Sequence, residues 1–409
     1  MKKIKEKNVG TLFDNKEFNA IKKVLKSGEP LTRGKEVELF ERKFANYIGA
    51  KYAVSVSSCG AALNISTKIL NLKKGDNVIT QANAFWVTVV SLLEKNIKII
   101  PVDIDPLTLN VDPKKIEEKI NKKTKAIYLV HFGGNPANIQ QIYKVARKYS
   151  IKVVEDCAHA CGAKYNNNFV GSKSELACFS FSTHKNISTL GEGGMFVTNN
   201  KRFAELAKGL RTNFPWGIRK KRKFKKIGYA KKPKNTDFFR CGDTFDFDYL
   251  KVKEFGSTYR MSTVQAAVGI EQLKKLKKLN YKRSKIAKLF DKEINKLKLF
   301  KLLPKNKKHV HSNYIYSFFL NSNRSKISRD KILDLLDKKY SIKVLLRYWP
   351  IHLNGVMRSR GSRFGDCPNY ERVWFKEQIN LPVEPSMTAD EVKRIVLTLR
   401  DLDKKFLKK

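Results

Sequence analysis

The chain has 409 residues, with 84 Lys plus Arg against 38 Asp plus Glu, for a formal net charge of +46. Its 42% hydrophobic content excludes a disordered chain, and its length predicts two domains with a sizeable buried interior. No run of about 18 uncharged apolar residues occurs, so no membrane span is expected, and the Lys-rich start lacks the apolar stretch of a secretion signal, which predicts a cytoplasmic protein.

The positive charge invites a nucleic-acid reading. The lysines are scattered, however, as in Lys73-Lys74, Lys114-Lys115, Lys122-Lys123 and Lys274-Lys275. That pattern reads as a series of solvated helix faces, with weak, salt-sensitive attraction to polyanions and no specific nucleic-acid partner. The six cysteines form no disulfide framework. Cys157, His159 and Cys161 lack the spacing and the second ligand pair of a zinc knuckle, so they read as packing residues rather than a metal site.

In chain order, apolar β-branched runs at 53–56, 78–80, 97–102, 126–130, 151–154, 177–181 and 195–198 read as buried strands. Helix-period segments such as 61–70 and 138–149 lie between them. This alternation predicts an α/β fold with a mostly parallel sheet covered by helices on both faces. In such sheets ligands bind at the carboxyl ends of strands, where Ser57, Asp156 and Ser180 fall. After a helical stretch at 206–211 the pattern breaks into a basic segment, 217–234, which reads as a solvated loop, with attraction of phosphate-bearing substrates as the functional alternative. Helices at 261–279 and 282–297 lead into a smaller α+β domain with a strand at 314–320 and a helix at 329–339. A final amphipathic helix covers 388–407, with Thr388 as its N-cap. The expected division is 1–255 for the N-terminal segment and large domain, and 256–409 for the smaller domain with its connecting helices.

Among so many lysines, Lys185 stands out by its surroundings. It lies between Cys178-Phe179-Ser180-Phe181 and Gly191-Glu192-Gly193-Gly194, downstream of Glu155-Asp156. An amine, a carboxylate at a strand end and a hydroxyl form the set that pyridoxal phosphate chemistry requires: Schiff base, pyridine nitrogen partner and phosphate ligand. The Ser58-Cys59-Gly60 turn before the 61–70 helix would add free backbone N–H groups facing a phosphate dianion; a plain strand-to-helix turn favours the same small residues.

Over nearly its whole length the chain resembles the DegT-type sugar aminotransferases, pyridoxal phosphate enzymes of the aspartate aminotransferase fold (fold type I). The resemblance rests on Leu31-Thr32-Arg33-Gly34, Ser57-Ser58-Cys59, Pro101-Val102-Asp103, His131 with Gly134-Asn135-Pro136, Glu155-Asp156, Phe179-Ser180-Phe181, Lys185-Asn186, Gly191 to Gly194, Arg260-Met261 and Leu381-Pro382. Each string is short; their order and spacing carry the identification. The resemblance implies a large domain built on a seven-stranded sheet. It implies Lys185 as the Schiff-base and proton-shuttling residue, and Asp156 as partner of the pyridinium nitrogen. His159 would lie near the cofactor's phenolic oxygen, with a packed core histidine as the competing account. Phe85 would stack on the ring, with Trp86 as the alternative and a core aromatic as the bland reading. Ser58, Cys59, Gly60 and Ser180 would hold the phosphate, with Thr258 contributed from the partner subunit of a homodimer. Two positions depart from the family pattern: Gly60 stands where Thr is common and Thr258 where Asn is common, which alters the phosphate donors and leaves the Lys185 chemistry in place.

The implied reaction is a ping-pong transamination from L-glutamate, through pyridoxamine 5'-phosphate, to an anionic keto sugar. A nucleotide-linked sugar in amino-sugar or polysaccharide biosynthesis is the expected acceptor. The rivals are a dehydratase of the same fold, in which a His replaces the Schiff-base Lys, and a noncatalytic basic regulator that keeps the fold. His184 sits beside Lys185 but reads as a neighbour.

Overall fold

A computed structural model of the chain describes residues 3–212 and 255–408. Helices α1 (Asn15–Lys26) and α2 (Lys35–Ile48) precede an alternating series. It runs β1 (Tyr52–Val56), α3 (Cys59–Ile69), β2 (Asn77–Gln81), α4 (Val87–Glu94), β3 (Lys98–Val102), α5 (Pro113–Lys119), β4 (Thr124–Val130), α6 (Ile139–Lys148) and β5 (Lys152–Asp156). A short hairpin of β6 (Lys164–Tyr165) and β7 (Asn168–Phe169) follows, then β8 (Leu176–Ser180), β9 (Gly194–Thr198) and α7 (Lys201–Leu210). The predicted basic segment 217–234 lies outside the described residues.

All seven predicted strands join one sheet, in the order β1-β9-β8-β5-β4-β2-β3. Six run the same way, and β9 is antiparallel to both neighbours. Alternate residues feed opposite layers, as the two-residue period of a strand requires. Val54, Val56, Val78, Tyr128, Val154 and Cys178 pack under α3, α4 and α7. On the other face, Phe179, Met195 and Val197 meet α2 and the long helix α8 (Thr263–Ile294), while Ile79, Ile127, Leu129 and Val153 meet α5 and α6.

The sequence suggested two helices over 261–279 and 282–297. The structure has a single helix, α8, of 32 residues. Nothing between the two predicted pieces breaks a helix. Asn280, a weak helix former, is retained because its amide donates to the Cys161 carbonyl at 2.9 Å and accepts from Asn186 at 2.7 Å. Ser262 and Gln265 start α8 with a capping box.

Beyond α8 a second core forms on the antiparallel sheet β10 (Phe300–Leu302), β11 (Tyr316–Leu320) and β12 (Gln378–Leu381), in the order β10-β11-β12. Helix α9 (Arg329–Lys338) and the short helices α10 (Gly355–Ser359) and α11 (Pro368–Arg372) precede β12. The final helix, α12 (Ala389–Phe406), is capped by Thr388 as expected, with Glu391 completing the capping box. Ile286, Phe290 and Ile294 of α8 enter this second core beside Phe318, Leu336, Ile379 and Leu399.

At the end of β5, Glu155 is fully buried and heavily bonded. It accepts from His131 Nε2 at 3.0 Å, the Tyr143 hydroxyl at 2.6 Å, the Gly171 N–H at 2.9 Å and the Ser174 hydroxyl. His131 Nδ1 accepts from the Ala137 N–H at 3.1 Å, which assigns the proton to Nε2. Burial alone would raise the Glu155 carboxyl, but the His131, Ser174 and Tyr143 bonds outweigh it and hold the group below 4.5. A folded value below the unfolded one adds stability that is in place above the unfolded value and is lost as pH falls through the folded one. Glu155→Ala, which strands several buried donors, is expected to cost about 3–5 kcal/mol in urea unfolding at pH 7. The difference from wild type should shrink as pH falls below the ordinary carboxylate range; a constant difference would rule out the ionised carboxylate as its source.

Candidate active site

Three turns at the carboxyl ends of β1, β5 and β8 bring the predicted residues together. The turn after β1 is short, and Ser58 caps α3 by accepting from the Ala61 N–H at 3.1 Å. Its hydroxyl is therefore committed to the helix. The Cys59 and Gly60 N–H groups, at the start of α3, have no intrahelical carbonyl and carry the partial positive end of the helix. The Ser57 N–H donates to the Tyr259 carbonyl at 2.7 Å, which places the neighbouring Thr258 next to this turn in the same chain.

Asp156 is buried at the end of β5. Thr88 donates to its Oδ2 at 2.8 Å and the Ala158 N–H to its Oδ1 at 3.0 Å, while the Cys59 thiol lies 3.8 Å from Oδ1. Burial raises the Asp156 carboxyl; the Ala158 and Thr88 bonds and the Lys185 charge oppose the rise. Burial, reinforced by Asp156, pushes the Cys59 thiol well up, so it stays protonated and donates. Among the described residues no lysine, arginine or histidine forms a salt bridge with Asp156.

His159 packs against two tyrosine rings. The Tyr314 centroid is 4.5 Å away at 17° and that of Tyr348 is 5.5 Å away at 18°. Its Nε2 is 3.1 Å from the Tyr348 hydroxyl, and its buried Nδ1 has no partner. Burial, then the charges of Lys185 and Arg347, depress the imidazole well below its ordinary value, so it is neutral.

Lys185 follows β8 on a loop that returns to β9. Its Nζ sits 4.3 Å from the Tyr314 centroid, a cation–π contact. Burial alone would raise the Tyr314 phenol, but Lys185 and Arg347 outweigh it and hold it below the usual value. Burial and the neighbouring Tyr314 keep Tyr348 neutral. His184 is exposed while Lys185 is only partly so. Beneath the loop, the Asn186 amide donates to Asn280 and to the Ser312 carbonyl at 3.0 Å. From above, the Gly10 N–H donates to the Thr183 carbonyl at 2.9 Å. A Cβ on Gly10 would stand 2.1 Å from the His184 carbonyl oxygen, so only glycine allows that approach.

Of the remaining candidates, Ser180 is buried at the end of β8, and its hydroxyl accepts from the Ser182 N–H at 3.5 Å. Phe85 is 39% exposed, with its ring 5.0 Å from Tyr348; Trp86 is 56% exposed and begins α4. Sequence reasoning missed Tyr314 and the Thr88 bond to Asp156; Tyr348 falls in the segment 347–352, which resembles the family's stretch near the substrate entrance, but its contact with His159 was not foreseen. Tyr314 was read as strand, but β11 begins at Tyr316, which frees Tyr314 to turn toward Lys185.

The residues present fit pyridoxal 5'-phosphate. A buried carboxylate without a cationic partner suits a pyridinium N–H, and the unpartnered His159 nitrogen suits a polar ring substituent. The uncommitted N–H groups at the start of α3 suit a phosphate. Gly194 presses on that turn: a Cβ there would lie 2.4 Å from the Ser58 carbonyl carbon and 2.7 Å from the Cys59 nitrogen. Gly194→Ala is therefore expected to weaken cofactor affinity by roughly tenfold or more, read by absorbance titration of the apoprotein. An unchanged Kd would show that this turn does not hold the phosphate.

Known proteins resemble this chain over nearly its whole length. An uncharacterized protein of Methanocaldococcus jannaschii, MJ1066, is 37% identical over 388 residues, 94% of each chain. The spore coat polysaccharide biosynthesis protein SpsC of Bacillus subtilis is 30% identical over 394 residues, 96% of each chain. The structure of Helicobacter pylori PseC, an aminotransferase involved in pseudoaminic acid biosynthesis, superposes with a TM-score of 0.83 at 26% identity, covering 99% of this chain and all of that one. The model of the DegT/DnrJ/EryC1/StrS aminotransferase family matches residues 12–400. The chain therefore belongs to the DegT/DnrJ/EryC1/StrS aminotransferase family and is a pyridoxal phosphate-dependent aminotransferase.

Proposed function

We propose that the protein transfers an amino group from L-glutamate to the ketone of an anionic keto sugar, most naturally one linked to a nucleotide, on a route to an amino sugar or polysaccharide. The observation that carries this reading is the convergence of Lys185, on its clamped loop, and the buried carboxylate of Asp156 on one pocket, close enough for the Lys185 charge to act on Asp156. The named roles of PseC in making an acidic sugar and of SpsC in polysaccharide synthesis support a sugar acceptor. The net charge of +46 suits anionic substrates.

When bound, the cofactor supplies an aldehyde that carries the amino group and a pyridinium ring that accepts electrons. Lys185 holds it and, once released by substrate, moves a proton to and from the substrate carbon through Nζ. Asp156, fixed by Thr88 and Ala158, keeps the ring nitrogen protonated. Neutral His159, stiffened by its two tyrosines, directs Nδ1 at the ring's oxygen substituent. Phe85 covers the ring face. Cys59 and Gly60 supply N–H groups to the phosphate, Ser58 orients their turn, and Ser180 adds a hydroxyl. Thr258, which stands beside this turn in its own chain, adds its hydroxyl there in place of the expected contribution from a partner subunit, and the protein pairs as a homodimer. The exposed position of His184 and the inward one of Lys185 support transamination over dehydration chemistry.

Borohydride reduction of the holoenzyme followed by peptide mapping is expected to place a pyridoxyl group on Lys185, and Lys185→Ala should lose at least about 10³-fold in turnover. Labelling at another lysine, or a variant with normal turnover, would refute the assignment. Screening keto-sugar nucleotides with glutamate while following 2-oxoglutarate release identifies the acceptor.

A further inference from the structure

Arg283, near the middle of α8, is among the largest fully buried side chains, and none of the roles above uses it. Arg347 is neutralised by Glu6, but no carboxylate among the described residues forms a salt bridge with Arg283. Its partners are main-chain carbonyls instead. Nη2 donates to the Gly10 carbonyl and Nη1 to that of Asn313 at 3.4 Å, while the buried Nε has no partner. Burial lowers the guanidinium from its ordinary value, and the charge of Glu384 offsets this only in part. A buried cation without a counter-ion is destabilising, so packing alone does not account for an arginine here.

Both carbonyls lead to Lys185. Gly10, whose carbonyl Arg283 holds, turns its own N–H to the Thr183 carbonyl at 2.9 Å and approaches the His184 carbonyl too closely for a Cβ. Asn313, in the left-handed region at φ 52°, makes the turn into Tyr314, whose ring centroid lies 4.3 Å from Lys185 Nζ. Three residues before Arg283, on the same face of α8, Asn280 accepts from Asn186 beneath the Lys185 loop at 2.7 Å. We propose that Arg283 is a positioning residue for Lys185: it fixes both the N-terminal segment above the Lys185 loop and the turn that carries Tyr314, and so sets where Nζ stands. The inference rests on the Schiff-base role proposed for Lys185.

Neither segment needs Arg283 for its attachment. Gln272, about three turns earlier on the same face of α8, accepts from the Thr11 hydroxyl at 2.6 Å and donates to the Leu12 carbonyl at 2.9 Å. On the other side, the Ser312 N–H donates to the Gly134 carbonyl at 3.1 Å and its hydroxyl to the His159 carbonyl at 2.6 Å. The Ser312 carbonyl is itself held by Asn186 at 3.0 Å. Loss of the guanidinium therefore releases two carbonyls next to the Lys185 loop and Tyr314 while both segments stay docked.

The test follows Schiff-base formation by absorbance as pyridoxal 5'-phosphate is added at rising concentration to the full-length apoprotein. A residue that places Nζ governs the first-order step at saturation and leaves cofactor binding nearly unchanged. Arg283→Met should slow that step by about 10- to 100-fold and move the half-saturating concentration by less than about threefold. Arg283→Lys, which keeps the charge and can reach one carbonyl, should recover part of the rate. Gly10→Ala, which displaces the same contact from the other side, should also slow the step, and the double variant should be no slower than the worse single one. In the Arg283→Met holoenzyme, hydrogen exchange should quicken at 183–185 and 313–315 and keep its wild-type rate in α12. A wild-type rate of Schiff-base formation in Arg283→Met, or exchange quickened equally in α12, overturns the inference. Borohydride mapping of the wild type separates the two readings: a label on another lysine removes both, whereas a labelled Lys185 with an unaffected Arg283→Met leaves only the role of Lys185 standing.

Discussion

Consecutive side chains of a strand leave opposite faces of the sheet, and at the carboxyl end of β5 this places two neighbouring carboxylates in different environments. Glu155 turns toward the α6 side, where four donors saturate it. Asp156 turns toward the site, where neutral donors position it and a cationic partner is lacking among the described residues. The first carboxylate holds the strand end in place; the second is left available for a ligand. A shift of one residue in the pairing of β5 with β4 and β8 would exchange the two environments. The registers Val130 to Asp156 and Asp156 to Cys178 are therefore part of the chemistry as well as of the fold.

The electrostatics of the pocket are local and owe little to the charge of the whole chain. Lys185 and Arg347 both lie close to the Tyr314 ring, and together with burial they depress the neighbouring His159. A neutral imidazole and a carboxylate face the space where a cofactor ring would fit. The surface lysines, mostly exposed, form pairs such as Lys148 with Glu117 and Lys152 with Glu175, and such pairs contribute little to stability.

Much of this was legible in the sequence because period-2 apolar runs and helix caps are local signals. The seven strands of the large sheet were read within about two residues of their ends, and Thr388 was identified as the N-cap of the final helix. The two-helix reading of α8 failed because polar Asn280 looks like a break in sequence, while its partners Cys161 and Asn186 lie more than 90 positions away. Tyr314 was missed as a site residue for the same reason, and Arg347 and Tyr348 were legible only as part of a segment resembling the family's substrate entrance, without their contacts. Their meaning comes from contacts with Lys185, His159 and Glu6, and no periodicity marks a residue for a partner far along the chain. Ser58 has a second use that its sequence position did not mark, since its hydroxyl accepts from the Ala61 N–H and caps α3.

The unbroken course of α8 has a mechanical consequence. At 1.5 Å per residue its 32 residues make a rod of about 48 Å, seated at one end against the large sheet and at the other in the small core. Such a rod resists bending, so it sets the distance between the two cores and makes them move as a lever. Rotation of the small core about that lever would carry Arg283, near the middle of α8, only slightly, but would sweep Tyr314 and Arg347 through larger arcs. Any such rotation would then be felt most at the aromatic wall facing Lys185, and least at the carboxylate end of β5.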